Sequence, residues 1–168
     1  MTKLSLIIAP DPIFSQRAQA VAHVNDEIRR YISEMFEVLY QEQGVGLGAN
    51  MVGLLKRIIV IDLQEGGIKT PLAMINPEIT SASDEVEIRD EASLSFPGIH
   101  GAVSRPRSIE VRYLDEQGTP QSLHADGWLA TVIQHERDYL DGVTFLDHLS
   151  KMKRTMLMKK MLKQLKES

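Results

Sequence analysis

Apolar positions along the chain change their period several times, and each change marks a predicted element. Over residues 25–43, Ile28, Ile32, Met35, Phe36, Leu39 and Tyr40 recur every three or four positions, which predicts an amphipathic helix. Asn25 supplies its N-cap and Gly44 a left-handed stop. Residues 56–63, KRIIVIDL, are compact and β-branched, the pattern of a buried strand. Gly66-Gly67 and Pro71 break that run, and residues 72–75 predict another short strand ending at Asn76-Pro77. Ile109, Val111 and Tyr113 alternate with polar residues, and the turn at Asp115-Glu116-Gln117-Gly118 leads into residues 121–125, which predicts a hairpin. A second helix is predicted over 127–140, capped by Asp126 and stopped by Asp141-Gly142. A third covers 150–166, with Met152, Met156, Leu157, Met161, Leu162 and Leu165 expected on its inner face and its lysines outward. Strands with helices at both ends, and no repeat or linker between them, predict one α+β domain over residues 1–168.

Composition narrows the function classes. With 43% apolar residues in 168, the chain can bury a core and is not disordered. No apolar run approaches the roughly 18 residues of a membrane helix, and no basic apolar leader opens the chain, so a cytoplasmic protein without a membrane partner is expected. The absence of cysteine excludes disulfides, thiol catalysis and zinc–thiolate sites. The net charge of −4 is uneven: residues 149–168 hold Lys151, Lys153, Arg154, Lys159, Lys160, Lys163 and Lys166 against Glu167 alone. An acidic body with a basic tail points either to an anionic partner for the tail or to a solvated helix face. Nothing in the pattern points to specific DNA.

Three stretches carry candidate chemistry. In Gln134-His135-Glu136-Arg137-Asp138-Tyr139-Leu140-Asp141-Gly142, positions 135 and 139 share a helix face, so a histidine at 139 would complete a two-histidine metal clamp with Glu136 as base. Position 139 is tyrosine, which leaves a degenerate HExxH. Gly44-Val45-Gly46-Leu47-Gly48-Ala49-Asn50-Met51-Val52-Gly53 follows the first helix, and Glu91-Ala92-Ser93-Leu94-Ser95-Phe96-Pro97-Gly98 precedes the hairpin.

In this order and spacing the three stretches resemble the motifs of the peptide deformylase family, GxGLAAxQ, EGCLS and QHExDHLxG. The resemblance runs from Ile8-Ala9-Pro10-Asp11-Pro12 into the lysine-rich last helix. It implies a single-domain deformylase fold, with antiparallel or mixed sheets around a central HExxH-type helix. It also implies an activity: hydrolysis of the N-formyl group from the initiator methionine of nascent chains. The family holds Fe2+ or Zn2+ on one cysteine and two histidines. Carried over, those ligand positions fall on Ser93, His135 and Tyr139, the general base on Glu136, and the oxyanion donors on Met51 and the amide of Leu94. The methionine pocket falls on Val45, Gly46, Trp128, Thr131 and Val132, with Arg89 where an apolar residue is usual. Glu91 and Arg105 stand where the family has an acid and an arginine that pair beneath the site.

Three functional side chains are thus substituted. A serine hydroxyl is a poor replacement for a thiolate, and a phenol with an ordinary pKa near 10 must lose a proton before it binds a metal well. Met51 offers no N–H donor, and losing one oxyanion donor costs on the order of 10²–10³ in rate. These substitutions lead to the expectation of no bound cofactor and of a pseudoenzyme or strongly impaired deformylase that keeps a peptide cleft for a formyl-Met peptide or nascent chain. Two alternatives stand beside it. Ser93 and His135 could relax into a metal-independent nucleophile–base dyad. The basic last helix could instead mark a ribosome-associated binding module without chemistry, since family members dock that helix on the ribosome.

Overall fold

In the computed structural model, which describes residues 3–168, the chain forms two antiparallel sheets and three α-helices. The first two residues of the expected 1–168 domain lie outside the described part. Strands β1 (Gly46–Gly48), β2 (Ile58–Ile61), β3 (Leu72–Ala82), β6 (Ser108–Leu114) and β7 (Pro120–Asp126) make a five-stranded sheet in the order β1-β2-β3-β6-β7. Strands β4 (Val86–Ser93) and β5 (Phe96–Pro106) pair separately. Helices α1 (Asp26–Gln41), α2 (Gly127–Leu140) and α3 (Lys151–Glu167) complete the fold.

Strand β2 explains how the layers meet. Its side chains alternate, so Ile58 and Val60 join a core built on Ile28, Ile32, Met35 and Leu39 of α1. Ile59 and Ile61 join a second core with Ala130, Val132, Ile133 and Leu140 of α2. Because both faces are covered, all four residues are buried and the segment reads as a continuous apolar run. Helix α2 is correspondingly buried around most of its circumference, including its polar residues Thr131, Gln134, His135 and Glu136. The Asn25 cap forms as predicted, its side chain accepting from the Ile28 amide at 3.0 Å.

The structure differs from the sequence reading at several points: the left-handed residue after α1 is Gln43, at φ 56°, and not Gly44, and Asp126 precedes α2 without a side-chain capping bond. Strand β3 does not end at Asn76-Pro77. Asn76 takes a left-handed φ of 53° and its side chain holds the Val21 amide and carbonyl at 2.8 and 2.9 Å, so the register shifts through a bulge and pairing with β6 continues. The β4–β5 hairpin lies outside the strands that the sequence pattern predicts. On α3, Met152 and Met156 face solvent at 76% and 60% exposure, and Leu162 is also exposed. The contacts to the body are made by Met161, buried, with Leu157, Met158 and Leu165 half-buried around it.

Candidate functional site

Helix α2, strand β1 with the turn after it, and the end of β4 converge on one cleft. A cavity of about 280 Å³ is lined by Gly44, Val45, Gly46, Met51, Ser93, Leu94, His135 and Glu136, among others. A recess of about 40 Å³ opens beside it between Val45, Glu91, Ala92, Trp128, Thr131, Val132, His135 and Glu136. The sequence-predicted residues therefore come together, although they span three separated stretches. Gly46 is required at this point because a Cβ there would lie 2.4 Å from Glu136 Oε2 and 2.9 Å from Val132 Cγ1.

The floor of the cleft is a chain of charge-assisted hydrogen bonds. Arg105 Nε and Nη2 donate to Glu91 Oε2 and Oε1 at 2.7 and 2.9 Å, and its Nη1 donates to Asp138 Oδ2 at 2.9 Å. His135 Nδ1 donates to Glu91 Oε1 at 2.8 Å, which orients the imidazole. His148 Nε2 reaches Asp138 from the surface at 2.8 Å, a partner that its sequence context did not single out. The expected Glu91–Arg105 pair thus lies beneath the site, fully buried.

These contacts separate the two glutamates. Burial alone would raise Glu91, but the hydrogen bonds from His135 and Arg105 hold it down to about 2. Glu136 is pushed up to about 7, chiefly by burial, with the nearby Glu91 and Asp138 carboxylates adding to the rise and His135 opposing it. Its Oε1 is buried without a hydrogen-bond partner. For His135, burial opposes the charged form, but the neighbouring Glu136 and Glu91 carboxylates prevail and raise its pKa.

Tyr139 is completely buried below the cleft, and its hydroxyl shares a 2.5 Å hydrogen bond with Ser93 Oγ. Burial pushes the phenol well above its ordinary pKa, so it stays protonated. Ser93 therefore bonds to Tyr139 and not to His135, and the nucleophile–base contact of the metal-independent alternative is absent among the described residues. Met51 is buried, and its sulfur accepts from the Gly48 amide at 3.3 Å. Trp128 is exposed at the cleft rim. Arg89 swings over it, with the guanidinium 5.7 Å from the ring centroid and Nη2 bonded to Glu87 at 2.8 Å. The cation thus avoids the apolar recess.

Comparison with known proteins places this geometry. The polypeptide deformylase family model matches residues 3–155. A "Peptide deformylase-like" protein of Rickettsia conorii is 52% identical over 96% of this chain and 88% of its own length. The peptide deformylase of Agrobacterium fabrum is 43% identical over 97% and 96%. The crystal structure of peptide deformylase from Ehrlichia chaffeensis superposes with a TM-score of 0.92 at 36% identity, covering 99% of this chain and 98% of that one. A second structure of the Ehrlichia enzyme, in complex with actinonin, has a TM-score of 0.92 at 38% identity, covering 98% of each chain.

The expectation of no cofactor is corrected by these matches, because the family they show works with a metal ion, Fe2+ or Zn2+. Ser93 and Tyr139 present neutral hydroxyls bonded to each other, His135 presents one imidazole, and no group of three His, Asp or Glu gathers as a metal-holding set among the described residues. This donor set does not fit the family's ion, which takes thiolate, imidazole or carboxylate ligands. The family model, the relatives and the architecture agree over nearly the whole length, and the chain belongs to the polypeptide deformylase family.

Proposed function

We propose that this chain keeps the deformylase cleft as a receptor for the N-terminal end of methionyl peptides, with hydrolysis of the formyl group strongly impaired. The observation that carries the reading is the Ser93–Tyr139 hydrogen bond, which commits two of the three ligand positions to each other. Around it, the parts that hold a peptide are intact. The cavity beside β1 is open, the recess between Val45, Trp128, Thr131 and Val132 offers an apolar seat for a first side chain, and Arg105, Glu91 and His135 keep the floor rigid. The parts that accelerate hydrolysis are weakened. Met51 supplies no donor for a developing oxyanion, which leaves only the Leu94 amide of the two expected donors, and Glu136 has no activated water-binding partner among the side chains around it.

The test is formate release from formyl-Met-Ala-Ser by the purified chain incubated with Fe2+ or Zn2+, beside a family deformylase carrying the full motifs. A rate at least about 100-fold below that enzyme, with retained peptide binding by calorimetry, is expected from the missing donor alone. Turnover within tenfold of the family enzyme overturns the impairment.

The exposed face of α3 favours one further reading, a contact with an anionic surface such as the ribosome. Met152 and Met156 stand in solvent between Lys151, Thr155 and Lys159, which combines apolar area with positive charge. Co-sedimentation with ribosomes that falls steeply with added salt, and that Lys151→Glu with Lys159→Glu abolishes, is the expected result. Unchanged binding in that variant rejects it.

A further inference from the structure

Strand β4 has one open edge, because it pairs with β5 alone. The ladder fixes which of its backbone groups are free. Pro106, opposite Val86, has no N–H, and the Arg107 amide donates to the Glu85 carbonyl at 2.9 Å. Hydrogen-bonded positions alternate in an antiparallel pair, so Glu87 and Arg89 bond to β5, while Val86, Ile88 and Asp90 turn their N–H and C=O groups away from it. Among the described residues no other hydrogen bond reaches those groups. The same stretch carries two exposed large apolar side chains, Val86 at 56% and Ile88 at 70% exposure. It holds no proline, and its register with β5 is unbroken from Val86 to Glu91, so nothing bends the edge away from a neighbouring strand.

From this edge we infer that two copies of the chain join through antiparallel pairing of β4 with β4, on a two-fold axis at Ile88. Such a contact must be complementary to itself, and the charges beside Ile88 meet that condition. With the axis there, Glu87 of each copy lies opposite Arg89 of the other, and Ile88 lies opposite Ile88. The opposed pairs Val86–Asp90, Ile88–Ile88 and Asp90–Val86 each exchange two backbone hydrogen bonds, all from groups that β5 leaves free. Moving the axis by one residue sets Glu87 against Glu87 or Arg89 against Arg89. Moving it by two sets Asp90 against Asp90 or Glu85 against Glu87, so charge selects a single register. Within one copy Arg89 Nη2 already donates to Glu87 at 2.8 Å, yet Glu87 Oε2 and Arg89 Nε are buried without partners. They are the acceptor and the donor that the pairing uses. Asp90 keeps its own contact with His100 at 2.9 Å. One position further out Glu85 would meet Glu91, but each has its own cation, Arg107 at 3.1 Å and Arg105 at 2.7 Å.

The experiment is sedimentation velocity of the full chain across about 5–500 μM, the range in which a small interface associates. The mean mass is expected to rise with concentration from 18.9 kDa toward twice that value. Ile88→Lys, a change at an exposed position, sets two like charges on the axis and should weaken association at least about tenfold. Glu87→Lys and Arg89→Glu should each do the same alone. An equal mixture of those two variants should associate again, because one copy then presents two cations and the other two carboxylates at the opposed positions. A chain that stays monomeric over the whole range overturns the inference and leaves the edge to a strand of another protein. Dimers that survive Ile88→Lys, or single variants that mixing does not rescue, overturn it as well, because the contact then lies elsewhere. The unaltered chain gives the first of these outcomes by itself, so it does not depend on how a variant folds.

Discussion

The hydroxyl of Tyr139 on α2 and the hydroxyl of Ser93 at the end of β4 lie 2.5 Å apart and share a hydrogen bond. The two residues are 46 positions apart in the chain, so the bond ties the helix to the β4–β5 hairpin through the centre of the site. Tyrosine reaches this point because it is longer than histidine from the same helical position, and its ring is gripped by Phe14 at 5.8 Å between centroids and His135 at 5.6 Å. Tyr139→Phe keeps the ring and deletes the hydroxyl, so it should cost about 1–2 kcal/mol in urea unfolding. Ser93→Ala should cost a similar amount, and the double variant should cost less than the sum. Additive losses would mean that the two hydroxyls act independently.

Glu91 and Glu136 should shift stability with pH in opposite directions. Glu91 is held at about 2, below its ordinary 4.5, so the ionised form belongs to the fold. Its contribution, roughly 3 kcal/mol, is present above about pH 4.5 and is lost as pH falls toward 2. Glu136 sits at about 7, above 4.5, so its contribution is present below about pH 4.5 and is lost as pH rises through 7. Glu91→Gln should therefore lower Tm most near neutrality, where it also leaves Arg105 without its buried counter-ion. Glu136→Gln should raise Tm at about pH 8 and change it little at about pH 4. Melting curves across that range check the signs, and shifts of the same sign at neutral pH contradict the assignment.

What could be read in the sequence follows from what each segment's residues do. Helix α1 was legible because its apolar stripe and its Asn25 cap act locally. The β4–β5 hairpin was not, although Phe96, Ile99, Gly101, Val103 and Arg105 form its buried set. That set includes a glycine and a charged arginine, so the alternation of burial does not show as an alternation of hydropathy. The cleft residues were legible through three motifs, but the contact of His148 with Asp138 depends on tertiary approach alone. The inner face of α3 is not legible in the sequence because methionines recur around the whole helix, and only the body's shape chooses between them. Met161→Ala should accordingly cost about 2–5 kcal/mol, as a buried large-to-small change does. Met152→Ala should stay within about 0.5 kcal/mol, and comparable losses in urea unfolding would return Met152 to the inner face.

The substitutions at the site can also be reversed as a set. Met51→Gln, Ser93→Cys and Tyr139→His together supply the thiolate, the second imidazole and the amide donor that the family motifs carry. The surroundings are suited to receive them. His135 is already oriented through Nδ1 by Glu91, Arg105 already fixes Glu91, and Met51 already lines the cavity. The smaller histidine at 139 removes the phenol that occupies Ser93, so no single change suffices: Ser93→Cys alone leaves Tyr139 bonded across the site, and Tyr139→His alone leaves a neutral hydroxyl as ligand. The triple variant should bind about one Fe2+ or Zn2+ per chain by elemental analysis and release formate from formyl-Met-Ala-Ser at least about 100-fold faster than the parent. Metal binding without gain in turnover would move the impairment to the recess, where Arg89 and Trp128 stand in contact. Arg89→Leu, which puts an apolar residue where the family usually has one, would then be the change that recovers activity.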